Sequence, residues 1–169
     1  MPASKSRKTT KRSTATTKKK AAKVARSATA RRAPRSRDLT VDQAIIAVII
    51  GSMMANDHVA PEEAERAHHV TWSMRRFRRR SGETVGRLIA RVREMIAREG
   101  AAEIVQRASK VIPTSLRPSV LAVAADLVLV DGTLQRQERQ FLSELARQLK
   151  IAPALALQIL KIISLKNAI

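Results

Sequence analysis

Five arginines crowd into six positions at Arg75-Arg76-Phe77-Arg78-Arg79-Arg80, and Arg87, Arg91 and Arg93 extend the run against Glu83 alone. Guanidinium groups form bidentate contacts to phosphate, so this stretch is a candidate polyanion contact, with a solvated helix end as the plain alternative. A larger cationic reservoir precedes it. Residues 1–37 carry Lys5, Arg7, Lys8, Lys11, Arg12, Lys18, Lys19, Lys20, Lys23, Arg26, Arg31, Arg32, Arg35 and Arg37, and no acid. Fourteen such cations meeting a polyphosphate would release condensed counterions, giving strong, salt-sensitive, sequence-independent binding. No spacing places a recognition helix in a groove, so phosphate contact without base reading is the chemistry implied. Asp126 is a different kind of candidate, an acid inside a strongly apolar helix and hence a carboxylate ligand for a cation. Glu65-Arg66-Ala67-His68 has the Glu-x-x-His spacing of di-iron bundles, but that chemistry needs two such motifs and two further glutamates. The absence of Cys removes disulfides, thiolate metal sites and a Cys nucleophile. There is neither a Gly-rich phosphate loop nor a nucleophile elbow, so no enzyme is expected.

The charge distribution divides the chain. Of the formal net charge of +19, residues 1–37 hold +14 and residues 38–169 only +5, with all 14 acids in the second part. Ala, Lys, Arg, Ser and Thr dominate 1–37, and its larger apolar side chains are Met1 and Val24. Such a segment cannot offset its ordering entropy by burial, so a disordered arm is expected, followed by one domain over 38–169. Lys18-Lys19-Lys20-Ala21-Ala22-Lys23 resembles the tails of linker histones and of bacterial histone-like proteins. The resemblance implies DNA or RNA as the polyanion; anionic lipid or a merely solubilising role are the alternatives. Arg31-Arg32 ahead of an apolar stretch has the outline of an export signal, but Asp38 and Asp42 interrupt it. The apolar run Gln43 to Asn56 falls short of the roughly 20 residues that span a bilayer. A chain without a transmembrane segment, in a reducing cytoplasm and associated with the nucleoid, is the expectation.

The elements that would position these residues are all helical. Three aromatic residues, Trp72, Phe77 and Phe141, argue against a β fold and against a stacking platform for single strands. Thr40-Val41-Asp42-Gln43 is a capping box opening a helix that runs to about Ala55 and is apolar on nearly all sides, hence central. A second helix is expected from about Pro61 to Arg79, with Ala67, Val70, Met74 and Phe77 inward. A third follows Ser81-Gly82 and ends near Gly100, and a fourth stops before Pro113. A fifth runs from about Leu116 to Val130, with Pro118 tolerated in its first turn. A sixth carries Phe141, Leu142, Leu145 and Leu149 after the turn at Asp131-Gly132. Pro153 opens the seventh, whose Leu155, Ile159, Ile162 and Ile163 should face the core. An offset of 75 residues lays Ala47-Val48 on Ala122-Val123, Asn56 on Asp131 and Glu63 on Glu138, the mark of an internal repeat.

The stretch Ala124 to Glu138, with Asp131-Gly132, Leu134 and Glu138 after an apolar helix, resembles the TerB-like family. This family comprises the tellurite-resistance TerB proteins and a related amino-terminal domain of some membrane-anchored J-domain co-chaperones. The resemblance spans roughly residues 41–165 and implies an all-α, seven-helix bundle of two related halves. In the first half, Asn56-Asp57-His58-Val59 stands where a fuller copy has Asp-Gly. The resemblance further implies tellurite or other stress resistance, with metal bound by Asp57, Glu63, Asp131 and Glu138, which Asp126 would join. Turn formation and helix capping explain the same acids without metal. The expected function is therefore a stress-associated interaction domain that meets a protein partner through its helices and is tethered to nucleic acid by its arm. No resident cofactor is expected. The alternative is a metal-binding stress protein that holds a divalent cation at the two inter-helix turns.

Overall fold

A computed structural model of the chain describes residues 38–55, 62–129 and 135–168. Among them are seven α-helices and no strand: α1 (Val41–Met54), α2 (Glu62–Ser73), α3 (Gly82–Glu99), α4 (Ala101–Val111), α5 (Arg117–Val128), α6 (Arg136–Gln148) and α7 (Pro153–Lys166). A 3-10 turn, Thr114–Leu116, leads into α5. The all-α, seven-helix architecture read from the sequence is the one found.

α1 is the centre of the domain. Its capping box is formed as expected: the Gln43 amide donates to Thr40 Oγ1 at 3.3 Å and the Thr40 amide to Gln43 Oε1 at 2.9 Å. From Asp42 to Met53 its residues are buried without interruption, because α2, α3, α4 and α5 surround it. A helix enclosed on all sides has to be apolar all round, which is why it carries no amphipathic stripe. α5, its counterpart under the 75-residue offset, is apolar apart from Arg117, Ser119 and Asp126 and packs against α1, α6 and α7. α3, α4 and α6 are amphipathic and turn Val85, Ile89, Val92, Ile104, Ala108 and Leu142 to the core.

Two glycines are dictated by geometry. Gly100 joins α3 to α4 at φ 87°, in the region L side chains avoid. At Gly51, α1 and α4 approach so closely that a Cβ would stand 2.5 Å from Val105 Cγ2. A valine in a helix has little rotamer freedom with which to yield. Gly51→Ala should therefore lower stability by about 1–2 kcal/mol, overpacking outweighing the gain in helix propensity. Adding Val105→Ala should recover at least about 0.5 kcal/mol relative to the sum of the single changes. Urea denaturation of the four proteins measures this cycle, and a stabilised Gly51→Ala protein would refute the close-packing account.

Three expectations need correction. α2 ends at Ser73 instead of continuing to Arg79. The chain there tightens into successive i→i+3 bonds, with Phe77 N–H donating to Met74 C=O at 3.0 Å and Arg80 N–H to Phe77 C=O at 2.9 Å. This turn buries Phe77 completely and brings Arg76 and Arg80 to Asp42. α5 ends at Val128, two residues earlier than Val130. On α7 the expected inward set is half right. Ile159 and Ile163 pack on the core with Ala156 and Leu160, whereas Ile162 is 64 % exposed and Leu155 39 %. α7 packs on the body mainly through α5, so this helix at the margin leaves one face uncovered.

Candidate functional site

The arginine-rich turn is the one cationic candidate that the structure describes. Residues 1–37, with Lys5 to Arg37, lie outside the described residues. Within the turn the five arginines have different fates. Arg76 Nε donates to Asp42 Oδ1 at 2.5 Å, and Arg80 Nη2 donates to the other oxygen, Asp42 Oδ2. One carboxylate in the first turn of α1 thus holds two guanidinium groups, and it does so at a helix N-terminus, where negative charge is favoured. Arg78 Nε donates to the Ser73 carbonyl at 3.3 Å, closing the C-terminus of α2. Arg75 and Arg79 form no ion pair among the described residues, so Arg75, Arg78 and Arg79 retain uncompensated charge at the surface. Arg87 sits 3.5 Å from Glu83 in an exposed pair one helical turn apart, which contributes little to stability.

The carboxylate candidates are dispersed. Asp126 is not enclosed by its apolar helix. It faces outward and accepts from Lys166 Nζ at 2.5 Å, tying α5 to the end of α7, where Asn167 Nδ2 also donates to the Leu129 carbonyl at 3.3 Å. Glu138 is buried, and its Oε2 accepts from the Gln135 amide at 2.7 Å within a capping box that opens α6. Both carboxylates are therefore committed to other partners. Among the described residues no three His, Asp or Glu side chains gather where a metal could be held. Asp57 and Asp131 lie outside the described residues, and Glu63 lies in the first turn of α2 with its side chain outside them. The ring of His68 stacks on Trp72, with centroids 5.8 Å apart and 21° between planes. On α6, hydrogen bonds from Arg147 and then Gln148 hold the Glu144 carboxyl down to about 2, and Glu144 in turn raises Arg147. This carboxylate stays ionised throughout the usual pH range and is occupied on its own helix.

If Glu138 only caps, Glu138→Ala should lower stability by about 0.5–2 kcal/mol. The loss should be equal in calcium, in manganese and in chelator. A divalent-dependent rise in melting temperature in the parent chain that disappears in the variant would reinstate a metal role.

Sequence patterns gave no sign of two cavities. One, of about 380 Å³, lies between the end of α1, the start of α4 and α6, with Gly51, Val105 and Phe141 on its apolar side. Gln148 also lines it, and the Gln148 Oε1 is buried without a hydrogen-bond partner. The other, of about 410 Å³, lies between α1, the arginine-rich turn and α5. Each joins residues from three distant segments, so no local spacing could have revealed it.

These features define a small all-α bundle organised around one enclosed helix, with a cationic turn braced on that helix. The chain belongs to the TerB family: the family profile described as "Tellurite resistance protein TerB" matches residues 42–159. The match begins at the acid that braces the turn and ends midway through α7, so it covers most of the bundle but not the basic segment ahead of it. No curated protein and no solved structure matches the chain. No single helix among the described residues is long and apolar enough to cross a membrane.

Proposed function

We propose that this TerB-family chain is a non-enzymatic, stress-associated interaction module held on nucleic acid, or on another polyanion, by residues 1–37. The observation that carries the reading is the charge asymmetry: 14 cations and no acid in 37 residues, ahead of a body of mixed charge. Arg75, Arg78 and Arg79 form the secondary contact, since Arg76 and Arg80 are drawn onto Asp42, whose single charge balances one of the two. Neutralising phosphates in this way is indifferent to base sequence and places the protein with the nucleoid. The bundle then presents its own surface to a protein partner, and the uncovered face of α7, with Leu157, Ile162 and Leu165 each more than 60 % exposed, supports that role. Family membership supports a stress function of the tellurite-resistance type. Retention on duplex DNA at two salt concentrations, with and without nuclease, tests the tether. Retention that ignores both salt and nuclease would refute it.

A further inference from the structure

The cavity beside the arginine-rich turn combines two properties that phosphate binding does not use together. Its interior is aliphatic, built from Ile45 and Ile49 of α1, Met74 of the turn, and Val120 and Val123 of α5. Arg75 and Arg76 form part of its wall, the exposed Ser119 also lines it, and no carboxylate lines it among the described residues. Arg75 has no ion-pair partner among the described residues, and Arg76 engages Asp42 through Nε, which leaves its two terminal nitrogens for another acceptor.

Size and chemistry narrow the occupant. A volume of about 410 Å³ lies in the range of small-molecule sites. The few lining residues fall well short of the roughly 20–30 per side that a stable protein interface engages. A bare phosphate would leave the aliphatic interior in water, and a neutral hydrocarbon would leave the guanidinium groups unpaired. An alkyl chain ending in an anion satisfies both. We propose that this cavity binds a single-chain acyl carboxylate, its chain against Ile45, Ile49 and Val120 and its carboxylate on Arg75 and Arg76. Planar guanidinium groups suit a carboxylate better than ammonium groups would, because they bind both oxygens at once. The site uses neither the basic segment nor the carboxylate turns, so it stands or falls separately from the DNA tether.

The test titrates decanoate, below its micellar concentration, into the full-length chain by calorimetry, with hexanoate and decyltrimethylammonium as controls for chain and charge. One decanoate per chain is expected. Hexanoate, four methylenes shorter, should bind about a hundredfold more weakly. Decyltrimethylammonium should bind at least about tenfold more weakly. Arg75 and Ser119 are exposed, so Arg75→Glu and Ser119→Trp should fold as the parent does, which circular dichroism verifies. Each should weaken decanoate at least about tenfold, the first by reversing a charge and the second by blocking the cavity. Ser119→Trp should leave DNA affinity unchanged. Absent decanoate binding, equal binding by Ser119→Trp, equal binding of the cationic amphiphile, or many decanoates per chain in proportion to the cations of residues 1–37 would each overturn the proposal.

Discussion

Full-length protein is expected to bind duplex DNA with a slope of log affinity against log salt of about −5 to −9. Each phosphate neutralised on B-DNA contributes about −0.9, and not every one of the 14 cations of residues 1–37 will engage. Affinity should therefore fall about 10³- to 10⁵-fold between 50 and 200 mM salt. Removing residues 1–37 should flatten the slope to about −3 or less. The binding expected to remain would rest on Arg75, Arg78 and Arg79, which form no ion pair among the described residues, while Asp42 takes Arg76 and Arg80. Fluorescence anisotropy of labelled duplexes over a salt series measures both slopes. Neither protein should prefer a sequence, because contacts to phosphate carry no base information. A truncated chain that binds as tightly as the full one would move the function to the Arg75–Arg93 surface. A full chain that does not bind at low salt would leave residues 1–37 as a solubilising segment.

The largest effect on stability is expected at Phe77. Its ring is fully buried although its five neighbours in the run are all arginines on the surface side, so it fastens the cationic turn to the core. Phe77→Ala should lower stability by about 3–5 kcal/mol, combining lost transfer energy with the cavity left behind. The competing anchor is the Asp42 bridge. The side chains of Arg76 and Arg80 are 43 % and 41 % exposed, so solvent screens much of each pair. Asp42→Asn keeps the shape of the side chain and should cost about 1–2 kcal/mol, more than a fully exposed pair because the Asp42 side chain is only 11 % exposed. Urea midpoints at unchanged m-value give the ranking. A Phe77→Ala protein within about 1 kcal/mol of the parent, with Asp42→Asn the more damaging, would mean that the ion pairs carry the turn.

Much of this protein was legible in its sequence because the information is local. The capping box at Thr40 and Gln43, the restart at Ser81, the stop at Gly100 and the prolines opening α5 and α7 are signals whose physics acts within four residues. The unbroken apolarity of α1 announced its central place, since a surface helix cannot be apolar on every side. The charge asymmetry needed only counting. Tertiary structure decided where long-range partners compete with local preference. The spacing of Ala67, Val70, Met74 and Phe77 described a helix through Arg79, yet α2 stops at Ser73, and in the tighter turn that follows Asp42, more than thirty residues earlier, holds Arg76 and Arg80 while Phe77 enters the core. Asp126 looked like a buried acid until Lys166, forty residues away, proved to lie against it at the surface. α7 carried apolar residues all round, and nothing in its sequence said that mainly α5 would cover it. The aliphatic cavity with its arginine wall exists only where three segments meet, and periodicity along one helix cannot report what stands across from it.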